Sequence, residues 1–446
     1  MIFNDMNIVD ESDSELSEFI ENITPHFEES LTRAFKNETL VFHREEKKHS
    51  FQTIHDVLFK SGDTIIELRK LQLPWVPDFR INQLKAHLGT LCLDLNLNLG
   101  SLKVEGEYEA NNINLQTFLP ITHEGKIIIN FKNMTARGKV GLFIKDDGFL
   151  PENYDLVYET SGVDIKVKYY VNDGSIIDTE LSKDNVEDTL GISMWSQMTQ
   201  ILTELLSRQL EKVIAEFSLS ELFGDMEESL RNRERALILR ADRVADSLLC
   251  AAKDYIVQRT CRRVITPNFE SAFKRKPGSV HLGTVRTCQG YVKDLSTLTR
   301  RRSWSCFDDG KEMIMFGYIS LEDFKHSFRL YEVEYEYTKV NGSIDMTLYE
   351  NRLLVKIVFV RNNDLCECRL NELQFTFIRD IDVDISGLAS FGWLSSRLRS
   401  WSIGSLHQAT DVLEGFIKEA FNYAIQHVKY EYGSIEVQTN YKNKII

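Results

Sequence analysis

From Leu91 to Leu99 every second residue is leucine, and Cys92, Asp94, Asn96 and Asn98 fill the positions between. A period of two sends successive side chains to opposite faces of an extended chain, so this stretch predicts a half-buried strand with one apolar and one wet face. The alternation returns in Leu102 to Tyr108, Ile127 to Phe131, Val140 to Ile144 and Val163 to Val171, with turn residues at Asn111-Asn112, Asp146-Asp147-Gly148 and Asn172-Asp173-Gly174 between them. The pattern predicts an antiparallel meander over about Leu71 to Val171. Long strands twist and coil, so the sheet is expected to curve.

Helical periodicity flanks the meander. Ser12-x-x-Glu15 reads as a capping box, followed by Leu16, Phe19, Ile20, Ile23, Phe27, Leu31 and Phe35 on one stripe, with an interruption or bend expected near Pro25. Beyond the meander, Met194, Met198, Ile201, Leu202, Leu205, Val213, Ile214 and Phe217 return to helical spacing. The same order then repeats. A helix is expected over about Glu227 to Arg263, and strand-like text runs from Ser279 to Ile385, including Met313 to Tyr318, Ser327 to Tyr337, Ile344 to Tyr349 and Leu353 to Val360. Asn341-Gly342 is a hairpin signal. A last helix is expected over about Leu394 to Val428, and Tyr432 to Gln438 as a closing strand. With the joint near Leu222-Phe223-Gly224-Asp225, residues 1–222 and 223–446 are expected to form two modules. The predicted class is α+β, each module a long helix wrapped by a strongly curved antiparallel sheet. A chain of 446 residues exceeds what one core usually serves.

Composition excludes several functions. A formal net charge of -14 disfavours nucleic acid as a partner, because phosphate backbones need a concentrated basic surface. No run approaches ~18 consecutive apolar residues, so a soluble chain is expected. The seven cysteines lack CxxC pairs, and the ten histidines lack HExxH spacing, so neither metal nor cofactor is expected. GxSxG and GxxxxGK[ST] are absent, and Asp146-Asp147 and Asp308-Asp309 sit beside glycine as turn chemistry, so a non-enzyme is expected. The first residues are acidic, without the basic and apolar regions of a secretory signal. A cytoplasmic, reduced protein is expected, or a secreted one if a leader has been removed.

Gly100-Ser-Leu102-Lys-Val104-Glu-Gly106-Glu-Tyr108, Leu119-Pro-Ile121-Thr-His-Glu-Gly125 and Asn133-Met-Thr-Ala-Arg-Gly138 resemble the takeout and insect juvenile-hormone-binding protein family. In the second half, Val280-His-Leu-Gly283-Thr-Val285, Gly290-Tyr-Val292-Lys-Asp-Leu295-Ser-Thr-Leu298 and the aromatic stretch Phe316 to Tyr337 resemble the mite group 7 allergens. Both families share the tubular lipid-binding, or TULIP, fold. The resemblance implies an elongated cavity for hydrophobic ligands in each module. Takeout-like members also carry an early cysteine pair, whereas Cys92 is the first cysteine here.

The ligand-lining candidates are Leu93, Leu95, Leu97, Val104, Ile129, Phe131, Val167, Met198, Leu202 and Leu205. The expected partner is a lipid, fatty acid or terpenoid, bound and carried or transferred in an apolar tunnel. The alternative is a protein-interaction scaffold with solid cores, for which Lys36 to Ser50 is a candidate exposed loop. Phe391, Trp393, Leu394 and Trp401, with Arg397 and Arg399, suit either transient membrane contact or a buried helix start. The crowded aromatic strands of the second half are expected to fill its cavity, leaving the better pocket in the first.

Overall fold

The computed structural model describes residues 11–46, 52–61, 64–73, 79–112, 122–170, 176–183, 187–260, 263–275, 281–362, 365–388 and 391–428. A long helix, α1 (Glu11–Glu46), precedes strands β1 (Gln52–Ile54), β2 (Val57–Ser61), β3 (Thr64–Leu73), β4 (Arg80–His87), β5 (Cys92–Asn112), β6 (Thr122–Lys145), β7 (Gly148–Glu159), β8 (Gly162–Tyr170) and β9 (Ile176–Lys183). Helix α2 (Glu187–Ile214) follows, then the short α3 (Leu219–Phe223) and α4 (Glu227–Thr260). The second set is β10 (Arg263–Ile265), β11 (Glu270–Lys274), β12 (Leu282–Lys293), β13 (Leu298–Arg300), β14 (Ser305–Asp308), β15 (Glu312–Leu321), β16 (Phe324–Tyr335), β17 (Thr338–Asn362) and β18 (Leu365–Ile385), followed by α5 (Ser395–His427). Each set forms an antiparallel sheet of nine described strands, the first running β1-β3-β5-β6-β8-β9 and the second β10-β12-β16-β17-β15-β13, with the remaining strands paired alongside. The expected α+β class is the one observed. No helix among the described residues is long and apolar enough to cross a membrane.

The first sheet bends because its two longest strands change partners midway. At 21 and 24 residues, β5 and β6 would each span roughly 70–80 Å if straight. Strand β5 pairs with β4 through Cys92–Asn98 and with β3 through Glu105–Asn112. Strand β6 pairs with β7 through Thr135–Lys145 and with β8 through Gly125–Lys132. Between those stretches the β5–β6 ladder shifts register around Gly100, whose φ is +70°, while Asn133 sits at φ +46°. Such irregularities let a strand turn without leaving its sheet. The alternating segments on either side of Gly100 are therefore one strand, as are Ile127 to Phe131 and Val140 to Ile144.

Several expectations are corrected. Helix α1 continues through Pro25 without interruption, and it extends to Glu46, so most of the Lys36 to Ser50 stretch is helix rather than loop. Asn341-Gly342 lies inside β17, paired with Glu332 and Tyr331, and the hairpin turns at Glu336-Tyr337 instead, with Glu336 at φ 55°. A Cβ on Gly342 would meet the Ser386 carbonyl oxygen at 2.2 Å, so close backbone approach explains this glycine. Ile344 to Tyr349 and Leu353 to Val360 likewise merge into β17, with register shifts against β18 at Arg352/Leu353 and Lys356/Ile357. Asp146 and Asp147 do form the β6–β7 turn, and Asp147 additionally accepts hydrogen bonds from the Ser218 hydroxyl at 2.7 Å and the Ser220 amide at 2.8 Å. Asn172-Asp173-Gly174 and Tyr432 to Gln438 lie outside the described residues.

Two apolar cores result. One gathers α1, α2 and the first sheet, the other α4, α5 and the second sheet. The halves also bury outer sheet faces against each other. Cys92, expected on a wet face, is fully buried with Phe307 and Phe316 of the second sheet. A Cβ on Gly141 would lie 1.9 Å from the Ser305 hydroxyl. The Tyr318 hydroxyl accepts from the Tyr154 amide at 3.0 Å and donates to the Tyr154 carbonyl at 3.1 Å.

Candidate ligand-binding interior and the cleft between the sheets

The ten candidate residues lie in one interior. Antiparallel register sets Val104, Ile129 and Ile165 in one cross-strand row, Leu102, Phe131 and Val163 in the next, and Gly106, Ile127 and Val167 in a third. Farther along, Leu93, Val140 and Tyr154 form a row, as do Leu97, Ala136 and Tyr158. Because side chains alternate, each row presents its members to the same face. Helix α2 turns Met194, Met198, Leu202, Leu205 and Leu206 inward, all fully buried. The Phe131 and Trp195 rings lie 6.0 Å apart, and the Tyr158 hydroxyl hydrogen-bonds Thr203 at 3.0 Å. Those contacts fix α2 to β6 and β7. Of the ten, nine are buried and Val167 is partly buried against the same cluster.

Helix α1 covers this interior with Leu16, Ile20, Phe27, Leu31 and Phe35, all buried. Phe27 makes edge-on ring contacts with Phe149 at 5.9 Å and Phe217 at 5.1 Å. The Glu28 carboxylate accepts the Ala86 amide at 2.6 Å, tying α1 to β4. Tyr154 and Tyr158 were missed by a reading of aliphatic alternation, although they continue its inward phase along β7. Burial pushes both phenols above the ordinary tyrosine range, so they remain neutral hydroxyls.

A roomy cavity among the described residues lies elsewhere, at the junction of the halves. It is a cleft of about 600 Å³ between the halves, walled by α2 and β7 on one side and by the β13–β14 connection, β15, β17 and β18 on the other. None of the ten candidates lines it. Its lining is charged: Lys145, Arg208, Arg301, Arg302, Arg352 and Arg379 against Glu152, Glu204, Glu211 and Glu350. Arg302 pairs with Glu152, and Arg379 pairs with Glu204 at 2.5 Å, so two ion pairs join the walls. Phe377 is flanked by the Arg352 and Arg379 guanidiniums, 4.7 and 4.9 Å from its ring centre. A second, far smaller cavity is lined by Leu91, Leu142, Glu234, Ile238, Trp304 and Cys306, among others, and again by none of the ten.

Two buried ionic clusters brace the junction. Asp155, on the outer face of β7, pairs with Lys356 at 2.6 Å. Burial, then the charge of Asp155, pushes the nearby Glu372 carboxyl up to about 7. At the other corner Glu67 and Glu109 are directly opposite each other on β3 and β5. Like charges so placed repel, and Arg397 of α5 answers them at 2.7 and 2.9 Å. The Trp401 indole donates to Glu67 at 2.6 Å. Burial still raises the Glu67 carboxyl above its usual range, with Arg397 acting against it. Arg397 and Trp401, weighed as membrane contacts, are thus engaged inside the molecule; Trp393 is the more exposed of the two tryptophans. Among the described residues no group of three or more His, Cys, Asp or Glu side chains is placed to hold a metal.

No family model and no curated protein matches the chain. Among solved structures it is similar to takeout 1 of Epiphyas postvittana, with 16% identity and a TM-score of 0.27 over 43% of this chain and 93% of that one. It is also similar to lipopolysaccharide binding protein, with 12% identity and a TM-score of 0.22 over 88% of this chain and 90% of the other.

Proposed function

We propose that this protein binds and carries or transfers a hydrophobic ligand, a lipid chain, fatty acid or terpenoid, between α2 and the inner face of the first sheet. The observation that carries the reading is the set of cross-strand rows around Val104, Ile129 and Phe131 facing the apolar stripe Met198, Leu202 and Leu205, with no ionisable side chain among them. Burial of a ligand's own apolar surface, at ~25 cal/mol per Å², supplies the affinity. Methionine lets the wall adapt to different chains. Ligand enters as α1 lifts, because its stripe covers the interior. The reading takes residues 1–222 as a takeout-like module and 223–446 as a group 7 allergen-like one, and it assigns no chemistry to the interior.

A second reading, an interaction scaffold with solid cores, is favoured by the fact that the ten side chains line neither of these two cavities among the described residues. Native mass spectrometry of the full chain separates the two. The carrier reading expects an excess mass that organic extraction releases as lipid, together with saturable uptake of a fluorescent fatty acid. Bare protein that takes up no probe supports the scaffold.

A further inference from the structure

The inter-sheet cleft is lined by none of the ten candidate ligand-lining residues. Six cationic side chains and four carboxylates line it in a chain whose formal net charge is -14. Positive charge is therefore locally in excess against the character of the whole molecule. Pairing is also incomplete. Once Arg302 has met Glu152 and Arg379 has met Glu204, no carboxylate of the described residues lies within ion-pair reach of the Arg208, Arg301 or Arg352 side chain.

Arg352 is the most telling of these. Its Nε is buried without a hydrogen-bond partner, and its guanidinium lies over the Phe377 ring, 4.7 Å from the ring centre. Burial, then the neighbouring charge of Arg301, holds this guanidinium below the usual arginine range, with Glu350 and Tyr318 acting the other way. Neighbouring like charges repel, and an anion between them relieves that repulsion. Planar guanidiniums match the geometry of phosphate oxygens, which accept two parallel N–H bonds at once. Thr203 and Ser207 also line the cleft, but their hydroxyls donate to the Thr199 carbonyl and the Glu211 carboxylate. A volume of about 600 Å³ exceeds that of a simple inorganic ion and falls in the range of small-molecule sites.

We propose that the cleft between the two sheets binds a phosphate-bearing anion, a soluble phosphate ester or the phosphate headgroup of a lipid, through Arg352, Arg301 and Arg208. The site stands independently of the apolar interior, since the two share no candidate residue. Arg352 supplies the guanidinium over Phe377, while the exposed Arg301 and Arg208 close on the anion from opposite walls.

Titration calorimetry of the full chain with pyrophosphate, and flotation with phosphatidylcholine vesicles containing or lacking phosphatidic acid, test this. The double variant Arg208→Glu/Arg301→Glu changes exposed positions, and an unchanged Tm establishes that it folds. Arg301→Ala provides a second, milder variant. The expected result is binding of pyrophosphate that weakens as salt rises and falls at least tenfold in the double variant. Phosphatidic-acid-dependent flotation lost in the variant, without pyrophosphate binding, equally supports the site and assigns the phosphate to a lipid headgroup. Binding that is unchanged in both variants, or absence of both pyrophosphate binding and acid-dependent flotation, overturns the proposal.

Discussion

Facing α2, the first sheet presents mostly leucine, isoleucine and valine, with Phe131, Tyr154 and Tyr158 the large exceptions. Whereas the first core's fully buried phenylalanines other than Phe131, namely Phe27, Phe35, Phe79 and Phe223, lie outside its strands, the second core holds Trp304, Tyr331, Phe273, Phe324 and Phe328 among its largest fully buried side chains. Rings there pack on rings: Phe269 and Phe328 meet edge-on at 5.4 Å, Phe273 and Tyr335 stack at 5.9 Å, and Phe324 stacks on Phe375 at 5.9 Å. Aromatic cores fill space with few rotatable bonds and preferred geometries. An aliphatic wall with methionines rearranges more readily. The same order of a helix, strands and a helix thus gives one interior suited to yielding and one suited to bracing. Even the buried His326 fits the bracing role. Its Nε2 meets the Thr266 hydroxyl at 2.8 Å, and burial pushes its pKa down to about 3, so it stays neutral.

The largest expected effect comes from opening the braced core. Trp304→Ala is predicted to cost about 3–5 kcal/mol in denaturant unfolding, with fatty-acid uptake unchanged. Trp304 packs so closely that a Cβ on Gly317 would lie 2.2 Å from its ring. Uptake lost together with stability would break the proposed division of labour. A paired test overfills each interior. Leu202→Trp and Leu413→Trp, both at fully buried helix positions, should each cost about 1–3 kcal/mol. Only Leu202→Trp should reduce ligand uptake, at least tenfold.

The junction gives a pH-dependent comparison. Glu372 has a folded pKa of about 7, above its ordinary 4.5, so its contribution to stability is fully present below pH 4.5 and is lost as pH rises to 7. Glu372→Gln should flatten the unfolding free energy across that window and raise stability above pH 7; an unchanged slope in urea titrations would remove Glu372 from the account. The smallest effect is expected at the exposed cleft rim, where Arg302→Ala should change stability by only about 0–1 kcal/mol in the same titrations.

Residues bearing one periodicity were legible in the sequence, and residues buried on two faces were not. Leu93, Leu95 and Leu97 announce an inner face by alternation alone, and Met198 and Leu202 do so by helical spacing. Cys92 shares that strand with them, yet its burial depends on Phe307 and Phe316, more than 200 residues away. Glu67 and Glu109 look like surface charges until Arg397 is placed against them. The cleft was equally hidden, because its arginines come from separate elements and no local spacing joins Arg208 to Arg301 or Arg352. Asn341-Gly342 misled for a related reason: glycine there serves approach to Ser386 rather than a turn. Strands β1 to β3 and β10 to β11 largely escaped detection because most are short or lack sustained alternation.

The yielding character of the first interior is tested most directly by native mass spectrometry of Leu202→Trp beside the unmodified chain, each loaded with a fluorescent fatty acid. A ligand-bound mass is expected for the unmodified chain and for Leu413→Trp, and only bare protein for Leu202→Trp. Equal loading of all three, or of none, would contradict this expectation.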